Sequence, residues 1–152
     1  MKKWWLCCAV LIFFAGSNLC AQGRGFGLGI ILGEPTGISA KQWLSPSRAF
    51  DFALAWSLEG SDSFIIHADY LKHTFRLIKV EKGRLPFYYG IGGRIKFDDH
   101  DDTAVGVRIP IGLTYLFAHV TLDLFVEIVP ILQIYPDTDF RLNGALGLRY
   151  FF

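Results

Sequence analysis

The chain has 152 residues, enough for one domain, and its 15 basic and 14 acidic residues leave a formal net charge of +1. That balance excludes the strongly basic face that nucleic acid or a broad anionic surface would require. Apolar residues make up 52% and aromatics 16%, against 19% charged. A water-soluble domain of this size would carry more charge and fewer Phe and Gly. Yet past the N-terminus no run approaches the ~20 apolar residues of a membrane helix.

Residues 1–21 read as a signal peptide. Lys2 and Lys3 form a positive start, Trp4 to Ala15 an apolar stretch of about a dozen residues, and Leu19-Cys20-Ala21 a small-residue cut. A retained anchor and a lipidated Cys20 are the alternatives. Cleavage after Ala21 removes Cys7, Cys8 and Cys20, all 3 cysteines of the chain. The remaining domain, 22–152, then offers no disulfide framework, thiol nucleophile or cysteine metal site. Loss of the two lysines leaves 13 basic against 14 acidic residues.

From Gly23 onward the dominant period is two, the mark of strands whose faces meet different surroundings. Between Thr103 and Leu116, Val105, Val107, Ile109, Ile111, Leu113 and Tyr115 share one face. Ala104, Gly106, Arg108, Pro110, Gly112 and Thr114 share the other. Eight such segments are expected, near 25–33, 37–45, 49–58, 63–73, 86–97, 103–116, 120–131 and 139–152. Each matches the ~9–11 tilted residues of a membrane-crossing strand. Turn residues join them at Glu34-Pro35-Thr36-Gly37, Glu59-Gly60-Ser61-Asp62, Asp98 to Asp102 and Tyr135-Pro136-Asp137-Thr138. The exception is 73–86, where Phe75 to Val80 is read as an extension of the fourth strand. Pro110 and Pro130 are expected to mark bulges.

The second face is rich in glycine, at Gly25, Gly27, Gly29, Gly90, Gly92, Gly106, Gly112 and Gly147. Glycine suits the crowded interior of a narrow, strongly curved sheet. In lipid an open sheet edge has no partner, so the sheet must close. The expected fold is therefore an all-β, eight-stranded antiparallel up-and-down transmembrane barrel, its interior filled by side chains. A soluble lipocalin-like barrel would show the reverse polarity, apolar inside and charged outside.

Several stretches carry a resemblance. They are Gly33-Glu34-Pro35-Thr36-Gly37-Ile38-Ser39-Ala40-Lys41, His67-Ala68-Asp69-Tyr70, Tyr88-Tyr89-Gly90-Ile91-Gly92-Gly93-Arg94, Val107-Arg108-Ile109-Pro110-Ile111-Gly112-Leu113, and Leu142 through Phe151. The chain resembles a family of small bacterial outer-membrane proteins of unknown function, and in size and architecture the OmpA and OmpX class of eight-stranded barrels. The resemblance implies residence among outer-membrane lipid and lipopolysaccharide. It also implies recognition of the aromatic end, Phe152, by the barrel-assembly machinery. It brings no catalytic motif and no cofactor, and leaves any extracellular ligand unspecified.

On the assigned phases the inward charges are Lys41, Asp51, Asp69, Arg94, Lys96, Arg108, Asp123, Glu127, Arg141 and Arg149. Charge in a narrow lumen must be paired. Hairpin geometry places Arg94 opposite or diagonal to Arg108 and Glu127 opposite Pro110, so two arginines around a glutamate are expected. Asp123 is expected to face Arg149, and Asp51 to lie near Asp69 with a basic neighbour. The reading is a non-enzymatic barrel whose charges plug the lumen and set strand register, in a structural or surface-interaction role. A narrow channel is one alternative. A lipid-modifying enzyme built around His67, Asp69 and Ser57 or Ser63 is the other. Asp98, Asp99, His100, Asp101 and Asp102 form a candidate divalent-cation loop without EF-hand spacing. Trp43, Trp56, Tyr70, Tyr89, Tyr115 and Tyr150 are read as an aromatic belt, while His73 and His119 carry no readable role.

Overall fold

Alternation of large apolar with small or charged residues holds each segment in an extended conformation, because only a strand keeps the two sets on separate faces. The computed structural model describes residues 25–58, 62–99 and 102–152. Among these described residues nine strands form one antiparallel sheet: β1 (Phe26–Gly33), β2 (Thr36–Trp43), β3 (Arg48–Ser57), β4 (Ser63–Thr74), β5 (Phe87–Asp98), β6 (Thr103–Arg108), β7 (Ile111–Leu116), β8 (Leu122–Tyr135) and β9 (Asp139–Phe151). Strands β6 and β7 are two parts of one wall position, both lying between β5 and β8. Pairing of β1 with β9 closes the sheet, so the ring has eight positions. The signal-peptide assignment falls outside the described residues.

The ring is strongly staggered. Followed from pair to pair, Gly29 leads through Ser39, Ala53, His67, Arg94, Gly106 and Gln133 to Asp139. Asp139 lies ten residues before Arg149, the residue that Gly29 itself faces on β9. A stagger of this kind requires strands tilted to the barrel axis, and eight of them enclose a space just wide enough for side chains.

The sidedness is that of a membrane barrel. Along β3, Phe50, Phe52, Leu54 and Trp56 are exposed while Ala49, Asp51, Ala53, Ala55 and Ser57 are buried. On β1 and β8, Ile30 and Val126 are 51% and 53% exposed, whereas Arg108, Arg149 and Lys41 are at most 1% exposed. Aromatic side chains pair on the outer surface, Trp56 with Phe64 and Phe50 with Tyr70, both with ring centroids 5.5 Å apart. A water-soluble barrel would invert every one of these positions.

Three expectations about the wall need correction. The single strand foreseen over 103–116 is interrupted at Ile109 and Pro110, but neither proline makes a bulge. Arg108 faces Ile131 and Ile111 faces Ile128, so the register runs unbroken past the gap. Proline removes a donor without inserting a residue, and Ile109 N–H still bonds Pro130 O at 3.0 Å. The bulge lies instead between Val105 and Gly106, where β8 carries the extra residue. Finally, β4 ends at Thr74 and does not run on through Val80. The neighbouring β3 is paired only as far as Arg48 with Lys72, so a longer strand would have had one bare edge. The connection 75–86 folds over the rim instead, held by Tyr115 Oη on Lys82 O at 2.9 Å and by backbone bonds between Arg84 and Leu116.

Candidate functional site: the charged lumen

The start of β1, the end of β9 and the connections 44–47, 75–86 and 117–121 lie at one rim, termed the terminal rim. At the opposite rim, termed far, β1, β3, β5 and β8 end. Inward side chains divide along this axis.

Nearest the terminal rim, Arg149 of β9 is fully buried and makes three polar contacts. Its Nη1 donates to Asp51 Oδ1 at 2.8 Å and to Ser39 Oγ at 3.3 Å, and its Nε donates to Asp123 Oδ1 at 3.1 Å. The guanidinium also sits 4.0 Å over the Phe125 ring. Lys41 Nζ lies 2.8 Å from His73 Nε2 and 4.0 Å from Asp123 Oδ2, with the Trp43 ring 4.6 Å away. Two cations and two carboxylates neutralise each other here, as low dielectric demands. At mid-height Arg108 Nε bonds both oxygens of Asp69 at 3.1 and 3.2 Å, and its Nη2 lies 3.6 Å from Glu127. Glu127 in turn accepts from Tyr88 Oη at 2.7 Å.

These bonds share a rule that links sequence to chemistry. Asp69, Gly92 and Arg108 occupy one cross-strand row on β4, β5 and β6. Tyr88, Gly112 and Glu127 do so on β5, β7 and β8, and Arg149, Gly29 and Ser39 on β9, β1 and β2. In each row the outer two residues bond across the middle one, and the middle one is glycine. A Cβ on Gly92 would lie 1.9 Å from Asp69 Oδ1, and one on Gly112 2.6 Å from Tyr88 Oη. The inward glycines are thus the gaps through which polar groups two strands apart reach each other.

Every expected inward residue lies on the inner face, but the partnerships differ from expectation in one respect. Asp123 faces and bonds Arg149, and Asp51 faces Asp69, each with an arginine at hand. The foreseen pair of arginines around Glu127 is not formed. Glu127 faces Gly112, two residues from Pro110, and one arginine stands between two carboxylates. Arg141, at the far rim, is half-buried and bonds Asp139 at 3.2 Å. Trp43 belongs to the lumen and not to the outer belt, since its ring lies tilted against buried His73 with centroids 4.5 Å apart. Trp56, Tyr70, Tyr89 and Tyr150 are exposed on the outside.

Sequence reasoning passed over His73 and Tyr88. Both are buried and bonded within the network. The signal was present: His73 shares its parity with Asp69, and Tyr88 with Arg94. The candidate enzyme constellation is not assembled. His67 Nδ1 lies 3.5 Å from Asp69, while Ser63 donates to Asp98 and Ser57 to Glu34 at 2.5 Å. Of the candidate cation loop, His100 and Asp101 fall outside the described residues, and among the described residues no three potential ligands gather.

No protein-family model matches the chain, and a search of curated proteins finds no match. Among solved structures it is similar to the N-terminal β-barrel domain of Pseudomonas aeruginosa OprF, with a TM-score of 0.63 and 13% identity over 86% of this chain and 100% of that one. At that identity the likeness is one of fold: an eight-stranded outer-membrane type of barrel.

Proposed function

We propose that this chain resides in a bacterial outer membrane as a non-enzymatic barrel with a structural or surface-interaction role, its lumen closed by the polar network. The observation that carries this is the inverted sidedness, with Leu, Ile and Phe side chains outward around a fully buried Arg108, Arg149 and Lys41. Lipid is the surrounding that stabilises such an exterior, and a closed ring is the only sheet lipid tolerates. The fold likeness to the OprF domain supports the same address. In this reading the exposed Phe152, whose N–H bonds Phe26 O at 2.9 Å, presents the aromatic end to the assembly machinery. Lipopolysaccharide and phospholipid surround the wall, and the short far-rim turns limit any extracellular partner to a small epitope.

The test is fractionation of producing cells together with gel mobility before and after boiling. The barrel is expected in the outer-membrane fraction, running as a compact band that shifts only on heating. Recovery as a folded protein in detergent-free buffer would overturn the reading. A plugged lumen further predicts planar-bilayer conductance at background. A lipid profile unchanged between wild type and His67→Ala, measured beside a deletion strain, separates the structural role from a lipid-modifying enzyme.

A further inference from the structure

A fourth glycine gap exists, and it is half filled. Arg94 on β5, Gly106 on β6 and Gln133 on β8 stand in one cross-strand row, as in the three rows already described. Arg94 is 4% exposed and its Nη2 has no hydrogen-bond partner among the described residues. Across the gap stands a neutral amide, and that amide donates to Asp137 O at 3.4 Å. Two residues nearer the far rim, Lys96 is 9% exposed, and among the described residues it has neither hydrogen bond nor ion pair. On the other flank His67 faces Arg94 in register, its Nε2 also buried without a hydrogen-bond partner.

Four carboxylates of the described far half already have partners. Asp69 holds Arg108, Glu34 accepts from Ser57 Oγ at 2.5 Å and Leu58 N at 3.1 Å, Asp98 accepts from Ser63, and Asp139 holds Arg141. Arg108 and Arg141 add like charge to the electrostatic surroundings of Arg94, and Glu34 opposes them from a distance without an ion pair. Among the described residues neither buried cation has a carboxylate within ion-pair distance, which is costly in a low-dielectric interior. The walls beside them are light, Gly106 opposite Arg94 and Ala104 opposite Lys96.

We propose that the far half of the lumen is a binding recess for a small free oxyanion of the phosphate class, held by Arg94 and Lys96 with His67 as a further donor. The guanidinium fork suits two oxygens of a tetrahedral anion, and the ammonium supplies a point charge. Both cations are enclosed by the wall, so the occupant is a free anion and not a lipid-borne phosphate outside it.

The test uses the folded barrel in dodecyl maltoside, a phosphate-free detergent, with inorganic phosphate as the probe. Phosphate is expected to raise the thermal unfolding midpoint saturably and to broaden its ³¹P resonance, with chloride at equal ionic strength giving no such change. The double variant R94M/K96M is expected to lose at least tenfold in phosphate affinity. A second variant, Gln133→Glu, places a carboxylate across the Gly106 gap. It is expected to be more stable than wild type without phosphate and to lose the phosphate response. Equal phosphate effects on wild type and Gln133→Glu, or no effect on wild type, would overturn the proposal. So would stabilisation by lipopolysaccharide alone, which would move the anion outside the wall.

Discussion

In the terminal half of the lumen, Lys41 and Arg149 meet Asp51 and Asp123 at 2.8–4.0 Å, and every cation has a carboxylate. In the far half, Arg94 and Lys96 are buried with no ion pair among the described residues. The wall is the same in both halves: inward small residues, outward apolar ones, one continuous register. What differs is the contact across each glycine gap, which is a hydrogen bond in three rows, while in the fourth the Gln133 amide bonds Asp137 O instead. The terminal half therefore works as an ion-paired plug whose charges complete one another. In the far half, Arg94 and Lys96 lack an ion pair among the described residues, and that is where the proposed ligand or a substitution would act.

The comparison breaks most sharply at Arg149. Arg149→Met strands Asp51 and Asp123 without their shared cation, and removal of one partner from a buried network costs about 3–5 kcal/mol. The urea midpoint of the barrel in lipid vesicles is expected to fall accordingly, with loss of the heat-shifted gel band in the same range. Next comes the outer face: Val126→Arg puts a charge on an exposed lipid-facing position near the middle of β8. It is expected to cost about 2–4 kcal/mol in vesicles and far less in water-rich micelles.

A smaller effect is expected from Gly92→Ala, which sets a methyl group 1.9 Å from Asp69 Oδ1 and 2.2 Å from Ala68 O. Overpacking of this kind costs about 1–3 kcal/mol, and the same unfolding measurement reads it. The smallest, and opposite in kind, is Arg94→Met in phosphate-free detergent. Because no partner is stranded, stability is expected within about 1 kcal/mol of wild type or above it. A loss as large as that of Arg149→Met would show the two halves to be alike.

Much of this organisation is legible from local pattern. The alternation of Phe50, Phe52 and Leu54 with Asp51, Ala53 and Ala55 states which side chains point in, because a strand turns its side chains over at every residue. The facing of Asp123 and Arg149 follows from counting back from a short turn. Misplacing Glu127 opposite Pro110 shows the limit of that counting, since a turn centre wrong by one residue moves its partner by two. The break after Arg108 and the end of β4 at Thr74 were likewise hidden, for both depend on what the neighbouring strand offers.

The sequence alone determined the sidedness, the eight wall positions and the set of charges enclosed. Those are properties of single residues in a two-residue repeat. Only closure of the ring decided which charges meet. Arg149 and Asp51 lie 98 residues apart and three strands apart around the wall. They touch because a tilted eight-position barrel is narrow enough for a guanidinium to cross it. The same closure set a glycine between Arg94 and Gln133 and left Arg94 Nη2 without a hydrogen-bond partner among the described residues, an outcome fixed by stagger around the whole ring and by no local feature of the chain.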